Sequence, residues 1–183
     1  MTKMFPQIFL VMGPPGTGKT TQAQTLAQNL GSPHLNTGDL LYYAAQGNDP
    51  AAQDIKKAME KGEMVDEKIT EQLVEKYLYE HENSEHIVVD GFPRTLEQAQ
   101  MIKFPITKIF YLKVGDVTVK ERLSKRERHD DTPELIEKRL KVYHEETEPI
   151  LDFYRQKGIL EEIDGDRTVE EVARDIEKKA SSS

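Results

Sequence analysis

The stretch Ile8–Thr21, IFLVMGPPGTGKTT, decides how the rest of the chain is read. Ile8 to Met12 is an unbroken apolar run, the pattern of a strand buried on both faces of a parallel sheet. Gly13 ends it, and Gly13-Pro14-Pro15-Gly16-Thr17-Gly18-Lys19-Thr20 fits G-x-x-x-x-G-K-[ST] with a helical pattern after it. Such a loop turns its backbone N–H groups inward around a phosphate, because glycine accepts the positive φ angles the turn requires. Pro14 and Pro15 stiffen its entry. The helix beginning near Lys19 adds unpaired N–H groups and the positive end of its dipole, Lys19 adds a full charge for the β and γ phosphates, and Thr20 is placed to reach Mg2+. A glycine-rich turn matching by chance would need neither the strand nor the helix that flank this one.

Outward from the loop, Ala23, Leu26, Ala27 and Leu30 form the stripe of an amphipathic helix closed by Gly31. Pro33 to Asn36 reads as a short strand, and Thr37-Gly38-Asp39 opens a helix to about Ala45. Helices are expected over roughly Ala51 to Lys61 and Glu67 to His81, the second capped by Asp66 with Ile69, Leu73, Val74, Tyr77 and Leu78 on its core face. His86 to Asp90 and Lys108 to Val114 read as strands, with Asp116 as the cap of the helix that follows. From Thr132, with Pro133 in the first helical position, a long helical pattern runs to about Gly158 with an interruption at Pro149. Ile159 to Asp164 is the last strand. Thr168 and Glu171 form a capping box for a terminal helix with core residues Val169, Val172 and Ile176, and Ser181 to Ser183 read as a frayed tail. Short strands alternating with helices predict an α/β fold, a five-stranded parallel sheet with helices on both faces and ligands at the strand C-terminal ends.

The 183 residues suit one domain, 1–180, with small inserts. Acidic residues number 33 against 25 basic ones, a formal charge of -8, and no Lys/Arg-rich run marks a nucleic-acid track. With no cysteine there are no disulfides and no Cys-ligated zinc, which fits a reducing compartment. No signal peptide or membrane-spanning run is visible, so a soluble cytoplasmic protein is expected.

Asp90 ends the strand HIVVD, where a carboxylate can hold Mg2+ through its waters or simply terminate the strand; beside a phosphate loop the first reading gains weight. Arg94 follows in a Gly-Phe-Pro bend that aims a guanidinium across the sheet edge, suited to a second phosphate group or to plain surface exposure. Gln98 has two roles open: Thr95-Leu96-Glu97-Gln98 is itself a capping box, and the amide can also bind ligand. Arg122, Arg126, Arg128 and Arg139 fall within 18 residues, joined by the polar stretch Glu127 to Asp131. They read either as a solvated helix face or as cations for a transferred phosphoryl group, with Asp130 and Asp131 as alternative partners. No Ser-His-Asp set and no H-E-x-x-H spacing is present. A hydroxyl acceptor needs a base, whereas a phosphate monoester, with a second pKa near 6, is already largely dianionic. The arginines therefore favour a phosphate acceptor and catalysis by positioning, without a covalent intermediate.

Taken together, GPPGTGKTTQ, NTGDLL, DGFPRTLEQA and KRERHDDTPELIEKRLKVYHEETEPILDFY resemble, in order, the motifs of the adenylate kinases among the nucleoside monophosphate kinases, in a short-lid form. The resemblance spans Ile8 to about Ile176 and implies the P-loop NTPase fold and Mg2+-dependent phosphoryl transfer from ATP to AMP, giving two ADP. It implies an AMP-binding helical segment at about 36–66 and a lid at about 126–132. It places Gly13, Pro14, Pro15, Gly16, Thr17, Gly18, Lys19, Thr20 and Thr21 on ATP, with Arg122, Arg126 and the backbone of Arg167. Thr37, Val65, Gly91, Arg94, Gln98, Arg128 and Arg139 fall on AMP. Lys19, Asp90, Arg94, Arg122, Arg126, Arg128 and Arg139 form the catalytic set, and Thr20 and Asp90 take the metal, Asp90 through water. Nucleotides are the implied partners, with neither nucleic acid nor membrane, and a monomer is expected.

Three departures stand out. Tyr42 occupies the position of an arginine that would bind the AMP phosphate, which keeps a UMP/CMP kinase as a rival. Thr37 and Gln98 argue for adenine instead. Only Glu127 separates Arg126 from Arg128, so the short lid predicts weak donor-base selectivity or cover from a second subunit. Thr20 stands where glycine is common. A nucleotide-binding module without productive transfer is the alternative from another class, and intact Lys19, Asp90 and Arg94 speak against it.

Overall fold

The computed structural model describes residues 5–61, 63–125 and 132–182. The apolar run forms β1 (Gln7–Met12), and its alternate residues face two different cores. Ile8, Leu10 and Met12 pack with Ile87, Val89, Ile109 and Tyr111 on one side, where Val74, Leu78, Ile150 and Tyr154 cover them. Phe9 and Val11 pack with Val88, Phe110 and Leu112 on the other, under Ala23, Leu26, Val172 and Ile176. Two-sided burial is why this strand carries no polar alternation.

The sheet comprises, among the described residues, β1, β2 (His34–Asn36), β3 (His86–Asp90), β4 (Ile106–Lys113) and β5 (Leu160–Asp164), in the order β2-β3-β1-β4-β5. Every pairing is parallel. Between the strands run α1 (Lys19–Leu30), α2 (Thr37–Ala44), α3 (Pro50–Glu60), α4 (Glu67–Glu80), α5 (Leu96–Met101), α6 (Asp116–Ser124), α7 (Pro133–Val142) and α8 (Pro149–Gln156), with α9 (Val169–Ala180) last. From β1 the chain passes to β2 on one side, and from β3 it passes to β4 on the other side of β1. That reversal opens a crevice at the strand C-terminal ends. The register sets Val11 beside Asp90 and Asp90 beside Asn36, so the ends of β1, β3 and β2 meet there.

Several caps match the sequence reading. Gly31 closes α1 at φ 59°, Asp66 accepts from the N–H groups of Lys68 and Ile69, and Thr168 with Glu171 forms the full capping box of α9. The interruption at Pro149 is also present: the α7 helix widens into a π-helical turn, Tyr143–Thr147, before α8 starts with Pro149 in its first turn. Proline lacks the N–H an unbroken helix would use and clashes with the preceding turn.

Two expectations are corrected. Asp116 does not cap α6; Gly115 occupies the cap position without a side-chain bond, and the Asp116 carboxylate instead faces His144 Nε2 at 3.1 Å. Val169 is not a core residue but 51% exposed. It opens α9 at the rim of the sheet, where a helical side chain leans back past the packed surface, and the buried stripe is Val172, Ile176 and Ala180. A small separate core of Leu41, Ile55 and Val65 ties α2, α3 and the approach to α4 together beside the crevice.

Candidate active site

The phosphate loop takes its shape from glycines and from one carbonyl. Gly16 sits at φ 85°, and a Cβ there would lie 2.7 Å from Leu123 Cγ, so neither the conformation nor the space admits a larger residue. The carbonyl oxygen of Pro14 accepts from Thr17 N–H at 3.4 Å, Thr17 Oγ1 at 2.9 Å and Lys19 Nζ at 3.4 Å. Thr17 is buried. Lys19, in the first turn of α1, thus lies folded along the loop whose N–H groups form an anion cradle.

Beside the loop, β3 delivers Asp90 at 1% exposure. Its Oδ1 accepts from Asn36 Nδ2 at 2.7 Å. Its Oδ2 is buried without a hydrogen-bond partner, with His34 Nε2 3.5 Å away. Asn36 Nδ2 also lies 3.5 Å from Thr20 Oγ1. The site thus gathers a carboxylate, a hydroxyl and an amide at the end of three strands, and a buried carboxylate oxygen needs a partner. The carboxylate of Asp90 and the hydroxyl of Thr20 are oxygen donors of the kind a hard divalent ion such as Mg2+ takes, so these two residues fit that cation.

The residues expected at the acceptor follow directly. Thr37 Oγ1 donates to the Asp90 carbonyl at 3.2 Å. Gly91, at φ 81°, starts the bend whose Arg94 returns its Nε to the Gly91 carbonyl at 2.9 Å. Arg94 N–H donates to Gln98 Oε1 at 2.7 Å, and Thr147 Oγ1 donates to the Arg94 carbonyl at 2.8 Å. Gln98 therefore reaches one residue further back than a capping box would, while Thr95 Oγ1 does cap Gln98 N–H. Arg94 is exposed at the crevice beside Asp90, and its guanidinium stays charged. Val65 buries its side chain against α2 and α3. Tyr42 is 56% exposed and stacks edge-on with Tyr43.

On the other side of the loop, Arg122 on α6 donates to the Gly165 carbonyl at 3.0 Å and lies 3.8 Å from Asp166 Oδ1. Arg167 donates to the Asp164 carbonyl at 3.1 Å and to Asp175 Oδ2 at 2.8 Å. Arg139 stands in the last turn of α7. Arg126, Arg128, Asp130 and Asp131 lie outside the described residues, as does most of the expected lid. Sequence reading missed Asn36, His34 and Thr147. Asn36 had a signal, since an Asn directly before a helical start is a strong cap candidate, and its Oδ1 does accept from Asp39 N–H at 2.9 Å. Thr147 had none, being 53 residues from Arg94 in the chain.

A parallel sheet in this strand order, with a glycine-rich phosphate loop after its central strand and a buried carboxylate at the end of the next, defines a nucleotide-binding protein of the P-loop NTPase fold. The profile of the family described as adenylate kinase matches residues 11–159. The adenylate kinase of Prochlorococcus marinus (strain MIT 9211) is 41% identical over 174 residues, covering 91% of this chain and 93% of that protein. Those of Cyanothece sp. (strain PCC 7425 / ATCC 29141) and Nocardia farcinica (strain IFM 10152) are 36% and 37% identical, covering 92% and 89% of this chain and 92% and 93% of theirs. The chain belongs to the adenylate kinase family. No helix among the described residues is long and apolar enough to cross a membrane.

Proposed function

We propose that this chain catalyses reversible transfer of the γ-phosphoryl group of ATP to AMP, giving two ADP, with Mg2+ accompanying ATP. Family membership carries the reaction. The observation that supports the residue assignments is that Asn36 joins Thr20, next to Lys19 on the loop, to Asp90, three residues before the Pro93-Arg94 bend that folds back on Gly91.

In this reading Gly13 to Thr21 cradles the triphosphate, and Lys19 neutralises its outer phosphates. Thr20 and Asp90 hold the cation, Asp90 through a water. Held there, Mg2+ would supply positive charge that offsets that of the phosphates. Arg94 binds the acceptor phosphate with its planar fork, and Thr37, Gly91, Gln98 and the backbone at Val65 hold the rest of AMP. Arg122, Arg126, Arg128 and Arg139 surround the transferred group, whose charge spreads over its oxygens in a loose transition state. The Arg167 backbone meets the donor base. No base is required, because the acceptor phosphate is already largely dianionic. The enzyme works in the cytoplasm as a monomer without zinc, nucleic acid or membrane, in keeping with its lack of cysteine and its acidic balance.

A coupled assay of ADP formation with Mg-ATP as donor and AMP, UMP, CMP or GMP as acceptor tests the substrate. Strong preference for AMP is expected. Preference for a pyrimidine nucleotide would change the acceptor and keep the fold, and transfer to none of them would refute the reaction.

A further inference from the structure

One side chain holds together parts of the site that belong to different strands. Asn36 ends β2 and opens α2. Its Oδ1 accepts from Asp39 N–H at 2.9 Å and so caps the helix that begins the acceptor segment. Its Nδ2 donates to Asp90 Oδ1 at 2.7 Å and stands 3.5 Å from Thr20 Oγ1. The bond pattern fixes the orientation of the amide, because the reversed amide would set its oxygen against the Asp90 carboxylate. Oδ1 of Asp90 is engaged in this way, and Oδ2, buried without a hydrogen bond, lies 3.5 Å from His34 Nε2 on its other side.

We propose that Asn36 is a positioning residue that holds the Asp90 carboxylate in one orientation beside Thr20 for the cation, and that it ties this metal position to the start of the acceptor helix through the same amide. The proposal rests on the assignment of Asp90 and Thr20 to the cation. A hydrogen bond to a buried carboxylate fixes which lone pairs remain for a ligand, and its loss lets the carboxylate rotate into competing orientations. The helix cap is a separate function of the opposite end of the amide, so the two are separable by substitution.

Asn36→Ser keeps a good cap, since serine ranks with asparagine at that position, but is too short to reach Asp90. Asn36→Ala loses both. The test is Mn2+ binding to each protein with ATP present and AMP absent, followed by electron paramagnetic resonance, so that the readout is cation affinity without turnover. Asn36→Ser is expected to weaken Mn2+ binding about tenfold, the size of effect for one charge-assisted hydrogen bond, with the KM for AMP within about twofold of the parent. Asn36→Ala is expected to lose cation affinity equally and to raise the KM for AMP as well. In an Asp90→Asn background, Asn36→Ser should cause no further loss, because it acts through Asp90. Unchanged Mn2+ affinity in Asn36→Ser, alongside a clear loss in Asp90→Asn, would overturn the proposal and leave the metal assignment standing. Unchanged affinity in Asp90→Asn would remove the cation from Asp90 and overturn both. Equal losses from Asn36→Ser in both backgrounds would show a general structural effect and also overturn the proposal.

Discussion

The centre of the sheet edge and the arginine flank beside it hold their charged groups in different ways. At the centre, Asp90 is 1% exposed and fixed by Asn36, and Arg94 is anchored through its N–H, its carbonyl and its Nε to three different residues. On the flank, the Arg122 side chain is 36% exposed, bonded to the Gly165 carbonyl and 3.8 Å from the exposed Asp166. Strand register places the first group before any nucleotide arrives, at no cost of rearrangement during reaction. In the proposed reaction a helix-borne arginine beside an exposed carboxylate would exchange that partner for phosphate oxygens, and an exposed ion pair is weak enough to be exchanged, about 0–1 kcal/mol. The difference teaches that fixed geometry and exchangeable cover are assigned to separate elements of one site.

If that division is right, the largest effect belongs to the centre. Lys19→Met should lower kcat by about 10²–10³-fold with the fold retained, as judged by circular dichroism, since it removes a preorganised charge from the transferred group. Near-normal turnover would remove Lys19 from the site. Arg122→Ala should cost less, about tenfold to a hundredfold in kcat/KM for ATP, because neighbouring cations share its task. An Arg122→Ala loss equal to that of Lys19→Met would erase the contrast between the two regions.

Tyr42 sharpens the comparison on the acceptor side. It is exposed beside Tyr43 and carries no charge, so Tyr42→Arg should lower the KM for AMP by about tenfold while changing kcat little. An unchanged KM would mean that Arg94 and its neighbours already neutralise the acceptor phosphate.

The smallest effect concerns the flank's foundation. His144 in the π-helical turn accepts or donates to Glu148 at 2.7 Å and faces Asp116 of α6 at 3.1 Å. Its bond to Glu148, and then those to Asp116, raise its pKa above 6.5. A raised folded-state value means that the clamp's contribution is fully present below the unfolded pKa and is lost as pH rises through the folded one. His144→Gln should therefore lower the melting temperature by a degree or two near pH 6 and by less near pH 9. An equal loss at both values would show that charge on His144 plays no part.

Much of this architecture is legible in sequence because it is local. The apolar run, the glycine loop, the Thr168–Glu171 box and the Pro149 interruption each depend on residues a few positions apart, and all appear as read. What is not legible depends on pairing across the fold. Asp116 looks like a helix cap until His144, 28 residues away, takes its carboxylate. Val169 fits the apolar stripe of α9, but the end of the sheet leaves it uncovered. Thr147 holds the Arg94 carbonyl across 53 residues, and no periodicity announces it. The chemistry of the loop was readable, and the supports that aim Asp90 and Arg94 were not.

Direct transfer between two nucleotides held by position and charge is tested with ATP labelled in its γ phosphate, incubated with the enzyme, Mg2+ and AMP. The label is expected in the β phosphate of the ADP formed from AMP, and no label is expected on the protein when ATP is supplied alone. A labelled protein after denaturation, or label released as inorganic phosphate in place of ADP, would contradict it.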